Sequence, residues 1–558
     1  GEKTSPDGPV RAFQLPIRST LFAAILLGCV AAAAQAAAVD PVTAGRQLYL
    51  EGLRQGGEPV VATVQGDVEV TGATLACVGC HKRSGLGASE GDERALAVTG
   101  PALFDAATPR GSSLARPRVP YTDATLARAI RQGIASDGRV LDPLMPRYRL
   151  DAGDMRALVA FLHGLGAEAT PGVTETELEL ATIVSAEAPR GEREAVTTVL
   201  QRFVEIKNGG TRQEAKRAAA SRRHPYGEKH VRAFRKWNFS VWTLDGPASG
   251  WDAQLEARYR ERPPFAVVSG TTGPDWPVVH EFCERHELPC ILPVTDLPTE
   301  AGAGHYTVYF SAGVRLDARV TARSIAAGYD DPDARILMLY VDDARGRAAQ
   351  QAFTAAWPEE RHANLTIRPT QPGVTPSFKD WKDVIHRERP DVLVAWLLPA
   401  QLQALTSIAS SAATLPRRIY TAASFTDWQT IHALPMFEQR VLHVYPYSLA
   451  TPGLAAFPRE QAWLISQGLT NLERIPAAEA LFACHTIGEA MADMANNYSR
   501  EYLIETLEHM LDGTGMTTIF PVMTLGTGQR FLAKGANVVR LAPESGPVRY
   551  IKDGWIQP

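Results

Sequence analysis

From Leu178 onward the chain alternates stretches of β-forming residues with stretches of helical periodicity. This alternation constrains the fold more than any other feature. Leu178–Ser185 reads as a strand, followed by a helix over Glu192–Lys207 that Asn208-Gly209-Gly210 would stop. Phe265–Gly270 reads as a buried strand, with a Gly/Thr turn and a helix around Val278–His286 after it. Further strand-then-helix units begin at Ile336–Tyr340, Val392–Trp396 and Arg418–Thr421. Such alternation implies parallel sheets with helices on both faces, and its length implies two lobes rather than one sheet. Residues 211–236 interrupt the pattern with Arg212, Lys216, Arg217, Arg222, Arg223, Lys229, Arg232, Arg235 and Lys236. Two readings stay open for that stretch, a solvated helix and loop or a docking patch for an acidic partner.

The 558-residue length exceeds what one hydrophobic core fills, so several folding units are expected. Residues 39–168 have their own texture. Helices are expected over Ala44–Gly52, from Asp123 to Gln132 and from Asp151 to Gly164, with Gly/Pro/Ser-rich sequence between the first two. So few helices make a poor core unaided, and another body is expected to fill the interior. The Thr/Glu/Pro/Gly segment 169–177 reads as a linker, and 178–558 as the second domain. Apolar content of 45%, charged content of 21% and a net charge of −4 are ordinary for globular protein and argue against nucleic acid as a partner.

Residues 1–38 read as an export signal: Arg18, then the apolar run Leu21–Leu27, then small residues ending Ala36-Ala37-Ala38. A retained membrane tether and a lipid anchor on Cys29 of Leu26-Leu27-Gly28-Cys29 are the alternatives. The expected location is the periplasm. Cys283 and Cys290, seven apart where a helix turns into a strand, read as a disulfide in that oxidising compartment or as two separate buried thiols. Cys484 reads as a core residue.

Cys77-Val78-Gly79-Cys80-His81 has the spacing of c-type haem attachment. Two thiols must reach both vinyl groups of one porphyrin, and the next residue must lie beneath the iron. Zinc would require further ligands, and the region holds no other cysteine. The expectation is one covalent haem c on Cys77 and Cys80, with His81 as one axial ligand. Met145, in the stiff loop before Pro146, is the expected sixth ligand, with His163 or an open position as the alternatives. Met155 matches the apolar stripe of its helix and reads as core. Together with Gly45, Tyr49 and the last helix, these residues make 40–168 resemble a class I cytochrome c domain. The resemblance implies an all-α domain packed around haem and a periplasmic redox partner. The insert 55–73 departs from that family and reads as a hairpin.

Three further motifs resemble the type I periplasmic binding proteins that serve branched-chain amino acid and amide transporters. They are Val268–Gly273, Leu288–Asp296 and Tyr340–Gly346. The resemblance covers nearly all of 178–558 and implies two Rossmann-like lobes, joined by three crossings, that hinge shut on a ligand. It points to Thr271, Thr272, Thr295 and Asp296 as ligand-binding residues. Trp276, Trp396 and Ser424 are added on position alone, with core packing the alternative for each Trp. Where the family carries a serine-rich turn, this chain reads Ile291-Leu292-Pro293-Val294, which puts an α-amino-acid ligand in doubt. The arrangement also resembles binding-protein relatives associated with quinoprotein alcohol oxidation systems.

The fold class expected is therefore multi-domain, an all-α cytochrome c domain followed by a two-lobed α/β binding domain. The function expected first is electron transfer or redox sensing coupled to binding of a small-molecule solute. The alternative is a substrate-binding receptor of an ABC permease with an accessory cytochrome domain. No acid–base constellation suggests an enzyme.

Overall fold

A computed structural model describes residues 40–90, 93–105, 119–220, 235–300, 304–328, 331, 333–406, 408, 415–427, 430–431, 440–449, 457–494, 497–511, 519–540 and 549–558. The expected export signal, Cys29 and most of the basic stretch lie outside them. The chain divides into two compact units, Gly1–Ala167 and Glu168–Pro558.

In the first unit each helix carries its own stop and start signals. Asp40 caps the helix Pro41–Glu51, which ends at Gly52 in a left-handed conformation (φ 68°). Thr122 and Thr125 form a reciprocal capping box at the start of Asp123–Gln132. Asp151 caps Ala152–Gly164. The first and last of these helices cross closely because Gly45 has no side chain. A Cβ there would lie 2.0 Å from the Ala157 carbonyl oxygen.

The unit is not all-α. Strands β1 (Val61–Val64) and β2 (Val68–Thr71) form an antiparallel hairpin, and β5 (Arg147–Tyr148) pairs with β1. A second small hairpin joins β3 (Ala88–Glu90) to β4 (Glu93–Ala95). The valine-rich insert favours strand, and Gln65 and Gly66 at positive φ supply the tight turn. The interior expected to need another body is occupied by the chain's own side chains. Leu48, Tyr49, Leu126, Ile130, Tyr148, Met155, Leu158 and Leu162 form one buried cluster.

The second unit holds two sheets. In the first lobe the strands are β6 (Glu177–Ser185), β7 (Lys236–Leu244), β8 (Ala266–Val268), β9 (Cys290–Ile291), β10 (Thr307–Ser311) and β16 (Phe531–Ala533). They lie in the order β16-β10-β9-β8-β6-β7, and every pairing is parallel. In the second lobe β11 (Ile336–Val341), β12 (Leu365–Thr370), β13 (Val392–Trp396), β14 (Arg418–Ala422) and β15 (Val441–Tyr445) are parallel neighbours. The strands β17 (Ala536–Arg540) and β18 (Arg549–Ile556) extend that sheet antiparallel. Helices cover both faces of each sheet, so a central strand such as β13 is buried at every position and reads as an unbroken apolar run.

Two sequence expectations shift here. The helix expected to stop at Asn208-Gly209-Gly210 runs from Arg190 to Ala220. Mid-helix glycine costs about 1 kcal/mol relative to alanine. Beside these two glycines Asn208 clasps the backbone of Trp237, donating from Nδ2 to its carbonyl at 2.8 Å and accepting from its N–H at 2.9 Å. The second strand, sought within the basic stretch, begins at its end with Lys236.

The chain passes between the lobes at residues 312–313, between Tyr445 and Phe457, and at residues 534–535. Two of these joints are thus two residues long, and both contain glycine. Gly313 has φ +56°, and a Cβ on it would meet the Asp296 carbonyl oxygen at 2.1 Å. A Cβ on Gly535 would lie 2.5 Å from the Ile556 carbonyl oxygen.

Candidate ligand-binding site

Open parallel sheets leave their ligand crevice beyond the carboxyl ends of the strands, at the point where strand order reverses. In the first lobe that point lies between β6 and β8, and in the second between β11 and β13. A cavity of about 400 Å³ opens there between the lobes. Its walls come from segments that follow β6, β8, β9, β10, β11, β14 and β15, and from the start of the helix Arg474–Asp493. Two of these loops leave their strands through left-handed residues that are not glycine, Ser269 (φ 53°) after β8 and Leu292 (φ 57°) after β9. Such conformations are costly for side-chain-bearing residues and concentrate at functional sites.

Among the described lining residues five are acidic, Glu192, Asp296, Asp317, Asp343 and Glu479, and one is basic, Arg345. Asp343 caps the helix Ala344–Ala356 by accepting from the Gly346 N–H at 2.8 Å. The other four point chemistry at the cavity. Glu192, in the first turn of its helix, accepts a hydrogen bond from the Thr271 hydroxyl. Burial is the main cause that pushes its carboxyl up to about 7; Asp296 and Glu479 add repulsion. Asp317, in the first turn of Val314–Gly328, is 3% exposed and accepts from Ser424 Oγ at 2.8 Å. Burial raises it to about 7 as well, with Asp296 contributing. Burial, then the charges of Asp296 and Glu192, raise Glu479 well above the carboxylate range, while its hydrogen bond with Tyr447 works the other way. Asp296 is raised by desolvation and relieved by Arg345, whose Nη1 stands 3.4 Å away. The same Nη1 donates to the Ser424 carbonyl at 3.2 Å. Phe310, Tyr447 and Phe520 supply an aromatic wall, with ring centroids 5.6 Å apart for Phe310–Phe520 and 5.1 Å for Tyr447–Phe520.

Of the residues singled out in the sequence, Thr295, Asp296 and Ser424 line this cavity. Thr271 is fully buried behind it, its backbone paired with Ile183 and Ser185 and its hydroxyl on Glu192. Thr272 is 2% exposed. Trp276 and Trp396 are both 0% exposed, packed in the cores of the first and second lobes. Cys283 and Cys290 are free thiols in this structure, fully buried and hydrogen-bonded to each other rather than joined. Glu192, Asp317 and Glu479 were missed by sequence reading. Glu192 and Asp317 stand in the first turns of their helices, where acids look like ordinary dipole partners.

No protein-family model and no curated protein matches the sequence. Similarity appears among solved structures. A fatty acid ABC transporter substrate-binding protein from Thermomonospora curvata is 13% identical, with TM-score 0.49, over 70% of this chain and 95% of its own. An ABC transporter solute-binding protein of R. palustris in complex with benzoate is 12% identical, with TM-score 0.49, over 68% and 97%. A branched chain amino acid ABC transporter protein from Thermus thermophilus with bound valine is 10% identical, with TM-score 0.49, over 69% and 98%.

The haem expectation is corrected. Among the described residues no group of three or more His, Cys, Asp or Glu side chains is placed to hold a metal ion. The solved structures named above are titled as ABC-transporter proteins that bind solutes. Locally, Cys77 and His81 make contacts within the unit. The Cys77 thiol is pushed up to about 11 by burial and is hydrogen-bonded to Tyr148. Cys80 is exposed. His81 Nδ1 lies 2.8 Å from the Leu96 carbonyl. The Met145 carbonyl accepts from Arg147. His163, the alternative ligand, bonds Asp123 at 2.9 Å and stacks on Phe104. The haem c cofactor, and the electron-transfer role and redox partner expected with it, are not carried further. What the strands and the cavity establish is a two-lobed α/β unit with largely parallel sheets and a cavity between the lobes.

Proposed function

We propose that the second unit is a solute-binding receptor of the ABC-transporter type, acting in the periplasm. It takes a small molecule into the cavity between its lobes and hands it to a membrane permease. The observation that carries this reading is the cavity itself, built from the carboxyl ends of strands in both lobes and flanked by two-residue glycine joints. A closing lobe excludes water and strengthens every polar contact to the ligand. Thr295, Asp296 and Ser424 are the proposed contacts, with Thr271 a positioning residue that orients Glu192. Among the described residues no helix is long and apolar enough to cross a membrane. Titration calorimetry of the purified protein against small solutes tests the proposal. Saturable one-to-one binding is expected, with a smaller radius of gyration in solution scattering when ligand is present. Saturable binding that survives replacement of Asp296 and Ser424 together would place the ligand elsewhere and sink it.

A further inference from the structure

We propose that the solute taken into this cavity is an organic cation, an ammonium-bearing molecule without a free carboxylate. The inference rests on the receptor reading and names its ligand class. Four carboxylates that cap no helix, on Glu192, Asp296, Asp317 and Glu479, face one guanidinium, that of Arg345. That guanidinium is already placed between Asp296 and the Ser424 carbonyl. A solute bearing a carboxylate would add a like charge to this acidic lining, whereas a positive one would favour the ionised form of its acids and pair with them. The ordinary way to relieve like charges in a low-dielectric cleft is a counter-charge among them.

The walls distinguish an organic cation from a bare metal ion. Phe310, Tyr447 and Phe520 contribute aromatic rings to the lining, and Pro293, Ile475 and Pro476 add apolar surface. Aromatic faces attract ammonium groups and suit their methylene or methyl substituents. At about 400 Å³ the space is a small-molecule cavity rather than an ion cage. Among the described residues no cluster is arranged for metal coordination.

The test is calorimetry and thermal unfolding of the full chain with putrescine, choline, valine and benzoate as probes. Putrescine or choline should bind and raise the unfolding temperature, and valine and benzoate should not. Binding of valine or benzoate without either amine would overturn the inference and leave the receptor reading intact. Failure of a wider panel of amines, amino acids, carboxylates and sugars to bind would overturn both. Glu479→Gln and Asp317→Asn each remove a buried like charge, so both variants should be at least as stable as the parent. Each should weaken amine binding roughly tenfold, the loss of one charge-assisted contact. Unchanged amine affinity in both variants would also sink the proposal.

Discussion

The two lobes solve the same placement problem alike and then diverge in charge. Each holds an acid in the first turn of a helix and steadies it with a hydroxyl from the end of a nearby strand. The first lobe pairs Glu192 with Thr271, and the second pairs Asp317 with Ser424. Each also buries a tryptophan, Trp276 at the start of the helix Trp276–Arg285 and Trp396 at the end of β13, with an indole N–H that finds no hydrogen-bond partner among the described residues. Beyond this the first lobe adds Asp296 and Glu479, while the second adds the helix-capping Asp343 and Arg345. One wall is strongly acidic and the other close to balanced. The lesson is that shared scaffold chemistry fixes where a ligand sits, and the lobe-specific residues fix what it is.

The strongest challenge to that parallel is truncation of the tryptophans. Trp276→Ala and Trp396→Ala should each cost about 3–5 kcal/mol in urea unfolding, as large buried side chains do. If either loses ligand affinity while keeping its stability, that tryptophan belongs to the site and the equivalence fails. Next in size is the joint between the lobes. Gly313→Ala forces a Cβ against the Asp296 carbonyl at positive φ, and should cost roughly 2 kcal/mol or more by the same measurement. A neutral result would mean that the joint relaxes freely.

Smaller, and directed at the acids, is the effect of pH. Folding raises Glu192 from 4.5 and Asp317 from 3.8, each to about 7. The native state therefore binds more protons than the unfolded chain in that window. The contribution of these two groups to stability is greatest below the unfolded values and declines as pH rises through about 7. Subtracting the melting profile of the Glu192→Gln, Asp317→Asn double variant should expose this slope. A flat difference between pH 4 and 8 would place both acids in water-like surroundings, against the raised values cited here. Smallest of all is Arg345→Ala. The pair with Asp296 is partly exposed, so stability should change by less than about 1 kcal/mol. The expected sign of its loss is a wider distribution of lobe separations in spin-label distance measurements.

Much of this was legible in the chain because parallel strands covered on both faces must be written as apolar runs. Val392–Trp396 and Ile336–Tyr340 could be placed from sequence for that reason. Thr295, Asp296 and Ser424 stand just after such runs, where the topology opens its crevice. Glu479 was out of reach: it lies more than 180 residues from Asp296 in sequence, and no local pattern shows which acid a helix will turn inward. The Cys77–His81 spacing shows the opposite limit. It fixed a local juxtaposition on one short helix, and the inference from there to a cofactor was not supported by what surrounds it. The insert 55–73, read as a hairpin from sequence, holds the antiparallel pair Val61–Val64 and Val68–Thr71.

The pairing of Tyr309 in β10 with Phe531 in β16 has a consequence for biogenesis. The edge of the first sheet stays open until the ribosome has made nearly everything else, including the parallel core of the second lobe. Neither lobe is a contiguous piece of chain, so neither can be excised by a single cut. A nascent polypeptide of this design must travel with an exposed strand awaiting its neighbour. Any premature stop before residue 531 should therefore yield an aggregating fragment instead of a working half.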